Sequence, residues 1–483
     1  MRRIPHTILT LLLAALLLLA GCGNNQEPTL PTLPGGLPDA STAAGQTTAA
    51  PTISPDAPTT AVPVTAAPTT SPVPQTASPA PATTAVPLTE IPTSETAPTT
   101  TTRYIVTDYP TSGDPSDPDA TVQPTEPAST EDPSLLSLRE RAAAYLAQMD
   151  ARTRLFQLMI VPPEAICLEN PATTPDGLKL SAYPVSGLVY QAQNMENAGQ
   201  LTELVEGHQE ASRLPLFICV EEEGGRASCL IRTIGTTPIK NMFTYRGDGI
   251  EKARTNALTL ATDIRQYGFN LDLAPVADVW TDPENKVIGE RAYSDDFAKT
   301  APLIAAAVKG FHEGGVICTL KHFPGYGAAA PEEEGGIPTL NKTPDRLREE
   351  EFLPFLAGIE AGADLVMTAY VSVPEADPQE PAVFSRRIVT DLLRNGLAFD
   401  GVIITNNLTD AAEASSLSAG EACLKALNAG CDLLYCPAGD PETLGACADY
   451  LAEAMQAGRL SAARVDESVL RILMLKIKYG ILP

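Results

Sequence analysis

The stretch APLIAAAVKGFHEGGVICTLKHFPG, residues 301–325, carries two structural periods in succession. Over 301–314 the apolar residues recur every three to four positions and the run ends at glycine, the pattern of an amphipathic helix with a stop. Over 315–320 the pattern becomes GVICTL, a near-continuous apolar run that suits a strand covered on both faces. A helix feeding such a strand is one step of a parallel α/β sheet. The polar end, Lys-His-Phe-Pro-Gly, falls where the strand leaves that sheet.

The same alternation runs outward in both directions. Apolar runs occur at LFQLMIV (155–161), SGLVYQA (186–192), PLFICVE (215–221), FNLDLAPVADV (269–279), GVICTLKHFPG (315–325), ADLVMTAYV (363–371), GVIITNN (401–407) and CDLLYCP (431–437). Helix-period segments such as NAGQLTELVEGHQEASR and KARTNALTLATDIRQYG lie between them. Eight such units predict a single (β/α)8 barrel of the TIM type over 136–483, closed by the helix in RVDESVLRILMLKIKYGIL, with no second folded domain after it. An open doubly wound sheet is the alternative if one strand is misassigned. In a barrel the chemistry sits at the carboxyl ends of the strands. Polar clusters fall there repeatedly: VEEEGGR, APVADVW with DPENKVIGERAYSDD, LKHFPGYG and ITNNL.

The first 135 residues read differently. Residues 1–22, MRRIPHTILTLLLAALLLLAGC, join two arginines to a short apolar core and end in Leu-Ala-Gly-Cys. A charged start and a core of this length mark an export signal. Residues 23–135 are dominated by Thr, Pro, Ala and Ser, with few large apolar side chains to offset the entropy of ordering. They are expected to form a disordered, extended stalk with a mean reach of about 50–60 Å, its threonines open to O-glycosylation.

Net charge is −26, of which −17 falls on 136–483 once +2 from the signal and −11 from the stalk are set aside. Such an acidic surface disfavours nucleic acid and anionic lipid as partners. Of the nine cysteines, Cys22 stands at the end of the signal; the other eight lack zinc-ligand spacing and several sit inside apolar runs. No metal and no cofactor are expected, and a monomer is.

Two resemblances sharpen the reading. Leu19-Ala20-Gly21-Cys22 resembles the bacterial lipobox, which implies a signal cleaved before Cys22 and a lipid on its thiol. That would place the protein outside the cytoplasm, held to the cell membrane as a lipoprotein. The four polar clusters together resemble glycoside hydrolase family 3, in its bacterial β-N-acetylhexosaminidase branch. The family's Asp-Gln-Glu-Gly-Gly-Arg is Glu221–Arg226 here; Ala-Pro-Val-x-Asp-Val is Ala274–Val279; Val-Ile-Gly-x-Arg is Val287–Arg291; Lys-His-Phe-Pro-Gly is Lys321–Gly325. They follow in the family's order across roughly 140–480.

The resemblance implies that Glu221, Arg291, Lys321 and His322 line the sugar pocket. The competing reading makes Lys321 half of an internal ion pair and His322 a satisfied core histidine. An arginine expected three residues after Arg226 is replaced by Cys229. The family's nucleophile is the aspartate of Ser/Thr-Asp-Asp/Ala-Leu; here the block is Thr405-Asn406-Asn407-Leu408, so an amide, Asn406, stands in its place. The Asp-x-His dyad that serves as acid/base falls on YGAAAPEEEGGIP, where Tyr326 replaces a histidine and Glu332 and Glu334 occupy the dyad region. An amide is a feeble nucleophile and carries no charge to stabilise an oxocarbenium ion. The expectation is therefore a barrel that binds amino sugars or peptidoglycan fragments with its chemistry lost or impaired. Two alternatives stand: an active β-N-acetylhexosaminidase using Asp410 and Glu332 or Glu334, or the substrate's own amide; and a wall-associated scaffold with no sugar pocket.

Overall fold

Each of the eight apolar runs contributes a parallel strand: β1 Met159–Val161, β2 Gly187–Val189, β3 Phe217–Val220, β4 Leu271–Asp272, β5 Thr319–Phe323, β6 Leu365–Thr368, β7 Val402–Ile404 and β8 Leu434–Tyr435. The computed structural model describes residues 133–167, 169–330 and 336–483. The signal with Cys22, the stalk up to residue 132, and both Glu332 and Glu334 lie outside the described residues.

The strands hydrogen-bond in the orders β4-β3-β2-β1-β8 and β5-β6-β7. Isolated parallel bridges, Leu271–Ile317 and Ile404–Leu433, span from β4 toward β5 and from β7 toward β8. The result is an α/β fold on an all-parallel framework. Strand residues such as Ile160, Leu188, Ile218, Leu320, Val366 and Ile403 are fully buried, as strands covered on both faces require.

Two runs are trimmed by local structure. LFQLMIV begins inside the helix Ala151–Phe156, so only its last three residues pair as strand. FNLDLAPVADV gives a two-residue strand; the peptide bond Ala274–Pro275 is cis, and Val276 then meets Lys321 through an isolated bridge. Apolar content alone does not register such a turn.

Helices cover the strands through small residues. Ile250–Arg265 packs on Phe297–Glu313, and a Cβ at Gly310 would come within 2.2 Å of the Arg254 carbonyl oxygen. Close approach of the two helices therefore needs glycine there. The helix Ala462–Lys478, capped by Ser461, buries Val465, Val469, Ile472 and Leu473 and packs on Pro133–Ala147. Among the described residues no helix is long and apolar enough to cross a membrane.

That terminal helix also buries Lys476 completely. Its ammonium has the Gln157 Oε1 at 3.4 Å and the Phe217 ring centre at 5.0 Å, and among the described residues it pairs with no carboxylate. Burial pushes this amine from 10.5 down to about 7. Between those values the unfolded chain binds the proton and the folded chain does not, so stability should rise with pH across that window. Lys476→Met should stabilise the fold at pH 7 by on the order of 1–4 kcal/mol and flatten that rise. Urea unfolding at pH 7 and pH 9 checks both; a loss of stability at pH 7 would refute the assignment.

Candidate active site

The site is built from the carboxyl end of β3. Beyond Val220 the chain is still extended, so Glu221 and Glu223 share one side and Glu222 takes the other. Glu222 turns into the protein, where its carboxylate accepts from the backbone N–H groups of Leu230 (2.7 Å) and Ile231 (3.3 Å). Gly224 and Gly225 then adopt φ of +88° and +62°, and a Cβ at Gly225 would strike Asn241. Arg226 donates to the carbonyls of Lys286, Val287 and Ile288, which holds the loop carrying Arg291 against the end of β3.

Glu223 is the deep anchor. Its carboxylate takes Arg291 Nη2 at 2.6 Å and Nε at 2.8 Å, a bidentate pair, and Lys321 Nζ at 2.6 Å. Burial alone would raise this carboxyl, but Lys321 and Arg291 together hold it well below the ordinary carboxylate range. Lys321, only 1% exposed, also bonds Glu221 at 2.5 Å, and Arg291 lies 3.6 Å from Glu221. Burial lowers the Lys321 pKa, yet Glu221 and Glu223 outweigh it, so the net shift is upward. Glu221 itself is 44% exposed at the side chain and opens the network to solvent.

His322 follows Lys321 across a cis peptide bond and faces Asp278. Asp278, wholly buried, accepts from His322 Nδ1 (2.7 Å), His322 N (3.1 Å) and Tyr326 N (2.7 Å). A carboxylate only accepts, so the Nδ1 that faces it carries a proton. Tyr326 stands 6.1 Å from the His322 ring, packed with Trp280 on Val276, Ile288 and Ala292.

The structure brings Glu221, Arg291 and Lys321 together in one cluster, with His322 next along the chain. Sequence reasoning passed over Glu223 and Asp278. The two-residue alternation after β3 is the signal that finds Glu223, and the aspartate of APVADV is the one that finds Asp278.

The end of β7 is different in kind. Thr405 is buried, and Asn406 is half-buried with its Oδ1 accepting from the Asn407 N–H at 2.7 Å. Asn407 caps the helix Leu408–Ala414, accepting from Thr409 N at 3.0 Å. Asp410 sits exposed in the first turn of that helix, where a negative charge suits the dipole. Partial burial, and then the Glu413 carboxylate, raises its pKa. His208 bonds the Tyr190 hydroxyl at 2.7 Å, and His312 pairs with Asp364 at 3.0 Å, so both are structural partners. The eight described cysteines are all free thiols.

Residues 156–475 match the Glycosyl hydrolase family 3 N terminal domain. The chain belongs to glycoside hydrolase family 3. Within it, the chain is 30% identical over 343 residues to Beta-hexosaminidase A of Pseudoalteromonas piscicida, covering 65% of this chain and 57% of that protein. It is 35% identical over 258 residues to a Beta-hexosaminidase of Xanthomonas oryzae pv. oryzae, covering 52% and 75%. The structure of a glycoside hydrolase family 3 β-N-acetylglucosaminidase from Paenibacillus sp. str. FPU-7 superposes with a TM-score of 0.63 at 31% identity, covering 69% of this chain and 63% of that one. The chain thus spans less than two thirds of the Pseudoalteromonas and Paenibacillus proteins.

Proposed function

We propose that this family 3 chain is a surface lipoprotein that binds amino sugars or peptidoglycan fragments without cleaving them. On this reading the eight strands close into a (β/α)8 barrel, Cys22 carries the lipid, and the stalk of 23–135 lifts the barrel from the membrane outside the cell. Hexosaminidase-named relatives support an amino-sugar ligand. The pre-paired Glu221–Lys321–Glu223–Arg291 network, with His322 fixed by Asp278, supports a retained polar pocket.

The single observation that carries the loss of cleavage is Asn406. A retaining glycosidase needs a carboxylate to attack the anomeric carbon. The family's position for it holds an amide, and the neighbouring Asn407 is engaged as a helix cap. Asp410, exposed in the first turn of the helix Leu408–Ala414, suits the helix dipole, which supports reading it as a structural charge.

Binding is tested by calorimetry with N-acetylglucosamine and with muropeptides. Saturable heat is expected, and His322→Ala should weaken it by about tenfold or more while the fold is kept. Absence of saturable binding to every amino sugar would leave the scaffold role in its place.

A further inference from the structure

The opposite end of the strands holds a second cluster with different chemistry. Cys318 immediately precedes β5, Asp364 immediately precedes β6, and His312 lies in the last turn of the helix Phe297–Glu313. One ligating atom from each lies within 4.8 Å of the other two. His312 Nε2 is 3.0 Å from Asp364 Oδ2 and 3.8 Å from Cys318 Sγ. Tyr479 OH reaches the same Oδ2 at 2.6 Å.

We propose that His312, Cys318 and Asp364 form a structural site for a borderline transition-metal ion of the zinc type. With Zn–N of about 2.0–2.1 Å and Zn–S of about 2.3 Å, the edges of a tetrahedron are about 3.3–3.6 Å. The observed 3.0 and 3.8 Å separations bracket those edges. An imidazole, a thiolate and a carboxylate are a donor set that suits zinc and not calcium or magnesium. Tyr479 OH or water completes the fourth position.

Charge also balances. Asp364 is wholly buried and is now met by Lys478 Nζ at 2.7 Å and by His312. When the metal enters, the Cys318 thiol gives its proton to solvent, and the dication meets one thiolate and one carboxylate, a neutral set. Lys478, half exposed, is then free to swing to water. A cavity of about 500 Å³ lined by Asp364, Asp400, Arg471 and Lys478 lies beside the cluster, and His312, 26% exposed at its side chain, is the ligand that meets solvent. The ion would tie one helix end to the starts of two strands, three residues before Lys321 on β5.

Cobalt(II) titration of the metal-stripped full chain tests this. One equivalent should give a sulfur-to-cobalt charge-transfer band with tetrahedral visible bands, and zinc should abolish it. Cys318→Ser should remove the charge-transfer band, and His312→Ala should lower cobalt affinity by at least about 100-fold, the upper end of what losing a mere supporting partner costs. No saturable band from folded native protein, or a band that survives both substitutions, overturns the proposal. If Cys318→Ser does not fold, His312→Ala, on a partly exposed side chain, decides by itself.

Discussion

Asn406→Asp should raise the release of dinitrophenolate from its β-N-acetylglucosaminide by at least about 100-fold over the native protein. Losing a nucleophile costs on the order of 10⁴ in rate, or roughly 5 kcal/mol of barrier. The substrate is chosen because its leaving group departs as a stable anion and needs no proton. The first step then requires only attack: the anomeric C–O bond to the aryl oxygen breaks with its electron pair, and a bond to the introduced carboxylate forms. The acid/base region around Glu332 and Glu334 does not enter that step. Asn406 Oδ1 already accepts from the Asn407 N–H at 2.7 Å, a bond a carboxylate retains and which favours its charged form. Intact-mass measurement should then show the added N-acetylhexosaminyl group. A folded variant with an unchanged rate would mean that position 406 is not where attack occurs.

Lys321→Met should cost about 3–5 kcal/mol of folding stability at pH 7. The lysine is buried between Glu221 and Glu223, and Glu223 is only 3% exposed at its side chain. Removing the ammonium leaves that carboxylate in the interior with Arg291 as its remaining cation. Breaking a buried pair from one side strands the other charge, which is dearer than the pair's net worth. Sugar binding should vanish with it. Asp410→Ala, at an exposed helix position, should stay within about 0.5 kcal/mol of the native protein and serves as the control. Urea unfolding of the three proteins measures the contrast; a loss under about 1 kcal/mol for Lys321→Met would show that Arg291 alone satisfies Glu223.

The sheet was legible because a strand covered on both faces must be apolar throughout, and all eight such runs hold a strand. What escaped was where strands stop. FNLDLAPVADV is apolar enough for eleven residues of strand, yet forms a strand only over Leu271–Asp272, and proline follows three residues on with no N–H to donate. The charged cluster at the end of β3 was half legible for a related reason. Lys321 and Arg291 are conspicuous charges in apolar surroundings, whereas three consecutive glutamates look alike until alternation separates them. Glu223 anchors both cations, Glu222 caps the short helix Leu230–Thr233, and Glu221 meets solvent. In the sequence the histidine at 312 lies in a helix-period segment with nothing to single it out. Its neighbours Cys318 and Asp364 come from separate strand starts, which no local spacing reveals.

Catalytic silence with retained binding is best tested on one homogeneous sample of the native protein, by following a chromogenic β-N-acetylglucosaminide alongside calorimetry. The expected result is saturable amino-sugar binding with turnover about 10⁴-fold below the roughly 1–10³ per second of ordinary enzymes. Turnover within that ordinary range, from material free of other glycosidases, would contradict it.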